Sequence, residues 1–394
     1  MKSITILNKS CELGSGSVFD KTTIYGYKNS TAEQYASKNG NSFIKLSTGW
    51  IKNSGSWYYF NSSTGKFLTG WQKIDGSWYY LEPSTGAASM GWQKIGGYWY
   101  YFKTGGSGKM LTGWQKIGNC WYYFDTSTGR TAMGWKKISG SWYYFKEGGS
   151  GKMLTGWQKV NNSWYYLNPG TGKMLTGWQK IDGSWYYMDT LTGKVSMGWK
   201  KISGSWYYFK EGGSGKMLTG WQKVGGYWYY LTPGSGVLKT GWQKIDGYWY
   251  YLKPGNSGRM YDGFQQIDGN YYYFIGGKMQ TGFKKINGKW HYFNTGNSGR
   301  MLTGWQTISG SKYYFDPVDY GTMATGTKTI DGKQYVFNSN GKLANIYYVA
   351  NINSGKLHLS TCKNLPGKDN SAYFATIDEA LNAGYTDKCK NCLK

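Results

Sequence analysis

The sequence predicts an all-β fold, a solenoid of stacked β-hairpin repeats that ends in a small α+β module. Three observations carry this expectation. First, a Gly-aromatic pair recurs every 21 or 22 residues, with aromatic marks at Trp50, Trp71, Trp92, Trp114, Trp135, Trp157, Trp178, Trp199, Trp221, Trp242, Phe264, Phe283 and Trp305. One shorter step separates Phe264 from Phe283, and Thr327 holds the fourteenth place. Second, each mark opens a pair of short alternating runs around a tight-turn signal. Third, the apolar mass is largely aromatic, with 22 Trp and 39 Tyr among 61 Gly. Aromatic side chains carry large area but demand particular geometry, which suits many small units stacked side by side better than one large core.

The unit from Gly70 to Leu81, GWQKIDGSWYYL, shows how each hairpin arises. Asp75-Gly76 between two alternating runs is the type I′ turn signal, because both central residues need positive φ. Equivalent turns stand at Gly96-Gly97, Asp182-Gly183, Asp246-Gly247, Asn287-Gly288 and Asp331-Gly332. A Gly-rich link such as TSTGRTAMG then leads to the next unit. A lone hairpin is at best marginally stable in water, so each must bury a face against its neighbours. Side chains alternate along a strand. A two-residue turn therefore pairs Lys73 with Trp78 and Trp71 with Tyr80 on one face, and leaves Ile74, Tyr79 and Leu81 on the other to pack the stack.

Composition narrows the partners. The formal net charge is +26, which favours polyanions. The lysines are spread evenly, not gathered in tracts, and no Lys/Arg-Gly-aromatic RNA-recognition signature is present, so a phosphate-rich wall polymer is expected and nucleic acid is not. No stretch approaches the ~20 apolar residues of a membrane span. The N-terminal MKSITILNKSCELG has an apolar run too short for a signal peptide. An exported protein is expected, with its export signal outside these residues or the chain a fragment.

GWQKIDGSWYYL followed by TGKMLTGW resembles the choline-binding, or cell-wall-binding, repeat of Gram-positive surface proteins and autolysins. The resemblance runs from Ser47 to Asn345 and recurs in nearly every unit. It implies choline held between successive repeats, in a cage of two tryptophans from one repeat and a tyrosine from the next. Carried over, the cages are Trp50, Trp57 and Tyr80; Trp71, Trp78 and Tyr101; Trp92, Trp99 and Tyr123; Trp114, Trp121 and Tyr144; Trp135, Trp142 and Tyr166. They continue as Trp157, Trp164 and Tyr187; Trp178, Trp185 and Tyr208; Trp199, Trp206 and Tyr230; Trp221, Trp228 and Tyr251; Trp242, Trp249 and Tyr273. The chemistry needs such residues. A quaternary ammonium has no N–H donor, but π faces hold it, at ~0.5–2 kcal/mol each. Many modest sites on one polymer then add avidity. The bland alternative is that the aromatics only pack hairpins together. It suits the Tyr79-type residues; two indoles on one strand face exceed what packing needs.

Two smaller patterns accompany the tryptophans. Met110, Met153, Met174, Met217, Met260, Met279, Met301 and Met323 stand four residues before a Gly-aromatic mark. Where that place holds Ala88, Thr131 or Val195, a Met follows two residues later, at Met90, Met133 or Met197. Either a thioether is kept near one spot or Met simply fills gaps. A lysine follows most Gly-Trp pairs by two: Lys52, Lys73, Lys94, Lys116, Lys137, Lys159, Lys180, Lys201, Lys223 and Lys244. Either its stem covers an indole or its ammonium meets a phosphate beside choline. The late repeats drift, with Phe264 and Tyr271, then Trp305 with Lys312, then Thr327 and Gln334. Their SGSKYYFDP and DGKQYVFN segments look more like the carbohydrate-binding repeats of large clostridial toxins and glucansucrases, and degeneracy there also suits an end cap.

The ends differ from the repeats, which gives three segments: residues 1–45, 46–345 and 346–394. TTIYGYKNSTAEQYASKNGNSFI resembles the tail of a leucine-rich repeat array of bacterial surface proteins, with a strand and a short helix at Ala32–Lys38, over about one unit. At the other end His358, Cys362, Cys389 and Cys392 read H-x3-C, a gap, then C-x2-C, a donor set suited to tetrahedral zinc. Thr376 and Glu379 form a capping box before a helix at Asp378–Ala383, with Gly384 as its C-cap. This segment resembles the Ada-type metal-binding domain, also found appended to nucleases and surface proteins. His358 stands where the DNA-repair version has its methyl-accepting cysteine, so methyl transfer is not implied. The competing reading is a Cys389–Cys392 disulfide. Cys11 and Cys120 have no evident partner.

No catalytic constellation emerges: the acids sit mainly in turns, and His291 lies inside a repeat where Tyr is usual. The expected function is a non-catalytic cell-wall-binding protein, extracellular, holding choline of teichoic or lipoteichoic acid, with structural zinc and no catalytic cofactor. The alternative is binding of a surface glycan such as a glucan, for which aromatic platforms are also used, with added planar polar partners.

Overall fold

The computed structural model describes residues 3–6, 9–14, 21–64, 66–213, 215–255, 257–296 and 298–393. Within the N-terminal segment, residues 1, 2, 7, 8 and 15–20 lie outside the described residues. The described residues are built largely of β-strands, as fourteen successive hairpins, three of them extended by a short third strand, flanked by a small α/β unit at each end. It divides into two compact units, Met1–Ser196 with Glu211–Lys216, and Met197–Lys210 with Met217–Lys394, each with seven hairpins.

The hairpins follow the turn chemistry. Gly70–Ile74 pairs antiparallel with Ser77–Leu81, with Trp71 opposite Tyr80 and Lys73 opposite Trp78. Asp75 (φ 47°) and Gly76 (φ 74°) supply the two positive φ values of the type I′ turn. The same register repeats down to Gly326–Ile330 with Lys333–Phe337. Within a unit the link after a hairpin returns and locks two neighbours together. Met110 bridges Phe102 of its own hairpin while its N–H donates to the Trp78 carbonyl of the preceding one at 2.8 Å. Thr131 donates likewise to Trp99 and Met153 to Trp121.

Within each unit the buried core repeats hairpin by hairpin. The last residue of each second strand is fully buried: Phe60, Leu81, Phe102, Phe124, Phe145, Leu167 and Met188 in the first unit, and Phe209, Leu231, Leu252, Phe274, Phe293, Phe315 and Phe337 in the second. Ile74 and Tyr79 are buried beside them, as the alternation predicts. Gly129 has a clear reason to be glycine. Its φ is +71°, and a Cβ there would collide with the thioether of Met110 from the preceding link.

The N-terminal segment is a three-stranded parallel sheet of Ser3–Thr5, Thr23–Gly26 and Phe43–Lys45, with the helix Thr31–Lys38 packed on it. Ser30 caps the helix by accepting from the Glu33 N–H. The expected single strand is thus three stacked rungs. Gly26 lets the helix and the third rung approach: a Cβ there would lie 2.9 Å from both Ala32 and the Phe43 ring. Tyr25 and Leu46 join the row of buried aromatics at Phe60, and the Tyr25 hydroxyl donates to the Lys52 carbonyl.

The C-terminal segment is a four-stranded sheet in the order Ser371–Phe374, Tyr348–Asn351, Lys356–Leu359, Asp387–Lys388. Ala350, Leu357 and Ala380 form its core. The helix spans Ile377–Asn382, one residue before the expected start, and Thr376 and Glu379 make the reciprocal capping box. Gly384 follows at φ +92°. The Thr327 hydroxyl of the last hairpin donates to the Tyr373 carbonyl of this sheet. No helix among the described residues is long and apolar enough to cross a membrane.

Candidate cation cages and a histidine–cysteine cluster

The two tryptophans of a hairpin meet at a right angle. Eight pairs have ring centroids 6.3–6.5 Å apart and planes 83–86° apart, among them Trp71–Trp78, Trp114–Trp121, Trp178–Trp185 and Trp242–Trp249. Two perpendicular indoles make a corner whose inner faces stay open. Trp71 is 36% and Trp78 39% exposed, unusual for residues of this size in a repeat core.

The third wall differs from the expectation. Tyr100, not Tyr101, stands against Trp71, at 4.9 Å between centroids. The same middle tyrosine faces the preceding repeat elsewhere: Tyr79 on Trp50, Tyr122 on Trp92, Tyr143 on Trp114, Tyr165 on Trp135, Tyr186 on Trp157, Tyr229 on Trp199, Tyr250 on Trp221 and Tyr272 on Trp242, at 4.7–4.9 Å. The expected tyrosines pack edge-on or tilted against the first tryptophan of their own hairpin: Tyr80 on Trp71, Tyr101 on Trp92, Tyr123 on Trp114, Tyr144 on Trp135, Tyr166 on Trp157, Tyr187 on Trp178, Tyr208 on Trp199, Tyr230 on Trp221 and Tyr251 on Trp242. Tyr273 pairs across the strands with Phe264. The reason is which face looks backward. Tyr100 shares a face with Phe102, which also reaches Trp71 at 5.9 Å, so the buried face of one hairpin covers the tryptophan face of the one before.

These corners close into recesses. Trp71, Trp78, Tyr100 and Met110 line one of about 370 Å³, completed by Ser127, Thr128 and Arg130 of a later link. Trp114, Trp121, Tyr143 and Met153 line one of about 260 Å³. Trp135, Trp142, Tyr165 and Met174 line one of about 270 Å³. Trp199, Trp206, Tyr229 and Leu238 line one of about 620 Å³. A methionine at the bridging position is a buried wall, as Met110 and Met153 show, whereas Met133 and Met197 are each 38% exposed. The two methionine positions are therefore not equivalent: only the first is fixed by the link's bridge to its hairpin. The Lys73-type lysines are exposed, opposite the second tryptophan across the strands. Lys52 reaches over its partner indole, Trp57, at 5.9 Å.

Models of the choline-binding repeat match residues 47–90, 89–132, 111–155, 132–176, 154–197, 196–240 and 280–325, more than half of the chain. The chain belongs to the choline-binding repeat family. A cell wall binding repeat model matches residues 240–260 and 262–275. The late repeats, which on sequence look closer to toxin and glucansucrase repeats, thus fall in part within the same family. Among solved structures the chain is similar to CbpJ from Streptococcus pneumoniae TIGR4, at 29% identity over 64% of this chain and 99% of that one, with a TM-score of 0.52. It is also similar to choline binding protein F from Streptococcus pneumoniae, at 31% identity over 76% of this chain and all of that one, with a TM-score of 0.42. Comparison with curated protein sequences gives no match. The function of the repeats is binding of choline on the cell wall.

A separate cluster lies at the C-terminus. His358 sits on the strand Lys356–Leu359, Cys362 on the turn after it, and Cys389 and Cys392 on the knuckle after Asp387–Lys388. The donor atoms of these four residues all lie within 4.8 Å of one another, and His358 Nδ1 is 3.4 Å from Cys362 Sγ. The Leu359 N–H donates to Cys392 Sγ at 3.3 Å, and the Leu393 N–H closes the knuckle on the Cys389 carbonyl. The Asn391 N–H draws the Cys389 thiol below its ordinary pKa, while burial pushes Cys392 up to about 11 and His358 downward. All five cysteines are free in this structure, Cys389 and Cys392 among them. The cluster could hold a metal ion.

Proposed function

We propose that the chain is a multivalent, non-catalytic anchor of the cell exterior, whose hairpins stack as a solenoid over residues 46–345 and grip choline of teichoic or lipoteichoic acid. The observation that carries the site assignment is the repeated corner of two perpendicular indoles closed by the middle tyrosine of the following repeat. It presents π faces from three directions to one small volume, which suits a quaternary ammonium. Each cage takes its tryptophans from one repeat and its tyrosine from the next, Tyr100 in the Trp71 case. The test is a choline titration followed by tryptophan fluorescence, with elution from a tertiary- or quaternary-amine resin. Free choline should quench the cage indoles and release the protein. Retention that ignores choline but yields to a glucan would overturn the assignment.

Residues 346–394 are read as an Ada-like zinc module. A tetrahedral ion with Zn–S near 2.3 Å places its sulfurs about 3.7 Å apart, and the four donor atoms here lie within 4.8 Å of one another. The Leu359 N–H on Cys392 Sγ supplies the outer-shell contact that steadies a thiolate. Zinc would clamp the strand bearing His358 to the C-terminal knuckle, a structural role with no open position. The purified protein should hold one zinc, and His358→Ala should weaken it. A metal-free mass lighter by two hydrogens would favour the disulfide instead. Residues 1–45, with three parallel rungs about twenty residues apart, are read as the end of a leucine-rich repeat array.

A further inference from the structure

Two of the four recesses described above have an arginine at the mouth, and they are the two largest. The Arg130 guanidinium lies 3.6 Å from the centre of the Tyr98 ring and lines the Trp71 recess. The Arg259 guanidinium lies 3.8 Å from the Tyr227 ring and lines the Trp199 recess. A third pair has the same construction, with Lys278 Nζ 3.8 Å over Tyr248, beside the cage of Trp221, Trp228 and Tyr250. The volumes are about 370 and 620 Å³ with arginine, against about 260 and 270 Å³ at Trp114 and Trp135.

The cause is a single position. Tyr98, Tyr227 and Tyr248 directly precede a second tryptophan, where other repeats carry Ser77, Ser141, Ser163, Ser184 or Ser205. The cation comes from the link of the following hairpin, one residue before the bridge. Arg130 precedes Thr131, whose N–H donates to the Trp99 carbonyl, and Arg259 precedes Met260, which donates to Trp228. At the Trp114 and Trp135 recesses the matching hairpins have Ser141 and Ser163, and the matching link residues, Lys173 and Lys194, do not line the recess. A tyrosine shelf thus decides whether the link's cation is held at a cage mouth. The shelf takes one face of the planar guanidinium; Arg130 also donates to the Tyr100 hydroxyl, and its remaining N–H groups suit the oxygens of a phosphate.

The Asp125 carboxylate acts on Arg130 but is shared with other donors. The Asp125 carboxylate, near Arg130, accepts from the N–H and hydroxyl groups of both Ser127 and Thr128, and lies 3.7 Å from Lys136 Nζ. In the Arg259 link the corresponding place is Lys253, a second cation. The Lys73 ammonium, the other candidate for a phosphate contact, is not among the residues lining the Trp71 recess.

We propose that the Tyr98–Arg130, Tyr227–Arg259 and Tyr248–Lys278 pairs convert three of the cages into choline-phosphate sites, which take the ammonium between the indoles and the phosphate on the shelved cation. The cages at Trp114 and Trp135 take the ammonium alone. This rests on the choline reading of the cages and adds a second specificity to part of them. The ligand chemistry is a phosphate ester of choline, either a terminal monoester or a diester within a polymer.

The experiment is calorimetric titration of the full chain with choline, with phosphocholine as monoester and with glycerophosphocholine as diester. The variants are the triple substitution Arg130→Gln, Arg259→Gln, Lys278→Gln and the triple Tyr98→Ser, Tyr227→Ser, Tyr248→Ser. A subset of wild-type sites should bind phosphocholine more tightly than choline. Both triple variants should weaken phosphocholine binding by that class roughly two- to fivefold relative to choline, as for a solvent-screened ion pair, with the difference vanishing at high salt. A gain for phosphocholine alone would assign the sites to monoester ends; a gain for both esters would assign them to the polymer backbone as well. If choline binds and the esters bind no better, or the variants lose all ligands equally, this inference is overturned while the cages stand. If no ligand binds, the choline reading itself fails.

Discussion

The hairpin at Trp71 and the hairpins at Phe264 and Trp305 have one backbone and three different corners. Register and turn are the same in all. In the first, the indoles of Trp71 and Trp78 stand 83° apart and leave an open corner. In the second, Phe264 and Tyr271 lie nearly parallel, 8° apart at 5.2 Å, and fill each other's faces. In the third, Lys312 replaces the second tryptophan and puts its own ammonium 4.6 Å from the centre of Trp305. In the proposed cages a ligand cation would take that place, so this repeat would carry its own substitute. The frame is set by turn glycines, the link bridge and the buried row. In the proposed cages, competence to bind a cation rests on two side chains on one face, which change without disturbing the frame.

The largest expected effect comes from breaking an open corner. Trp78→Ala should remove one choline site, lowering the calorimetric stoichiometry by one, with little loss of stability because the indole is half exposed. Trp71→Ala should remove the same site and cost about 3 kcal/mol in addition, since Trp71 also packs on Tyr80, Tyr100 and Phe102. Tyr271→Ala should leave the stoichiometry unchanged. A site lost there would mean that the stacked pair opens for ligand.

The converse change is next in size. Lys312→Trp should create a cage from Trp305, the new indole and Tyr335, which already lies 4.8 Å from Trp305. Stoichiometry should rise by one. No added site would show that the late repeats lack more than the second indole.

A smaller effect separates the regions by pH. His291 holds the middle-tyrosine place opposite Phe264, buried, with its Nδ1 unpartnered. Burial holds it below its ordinary pKa, and the backbone of Tyr320 and Gly321 and the Asp319 carboxylate only partly offset this; Lys289 adds to the depression and is itself paired with Asp319. The unfolded chain therefore takes up the proton first as pH falls through about 6.5. Stability is complete above that pH and is lost on the way down to the folded pKa. Urea midpoints measured from about pH 7 to about pH 5 should fall, and His291→Tyr should flatten that slope. A slope unchanged by the substitution would place its origin elsewhere.

Period, turn type and the two faces were legible because each depends on neighbours in sequence. Asp75-Gly76 specifies the turn locally, and alternation places Ile74, Tyr79 and Leu81 together. The third wall was not legible, because alternation says that Tyr100 and Tyr101 point opposite ways but not which of them looks back at the preceding repeat. The Tyr98–Arg130 shelf joins a strand to the link of the next hairpin, a contact no local pattern reports. Met133 and Met197 matched the spacing of a shared strand face, yet the link makes only one bridge, so the second position has no strand to share. At the C-terminus the reverse held: donor spacing and the capping box are local, and His358, Cys362, Cys389 and Cys392 came together as expected.

The smallest expected effect concerns the lysines that both good and degenerate repeats can carry. Lys73, Lys94 and Lys116 are exposed, opposite Trp78, Trp99 and Trp121 across the strands. Lys73 and Lys116 do not line the Trp71 and Trp114 recesses, so changing all three to Gln should leave free-choline affinity as it was. Polymer carries phosphate along its length, and the summed positive field should matter there. Each exposed contact is worth ~0.2–1 kcal/mol, seen only when several act on one chain. Binding of teichoic polymer should therefore weaken at low salt and converge with wild type once the Debye length falls well below ~8–10 Å. Loss of free choline binding would instead show that the lysine stems support the indoles, which would move these residues from the polymer's field into the cage itself.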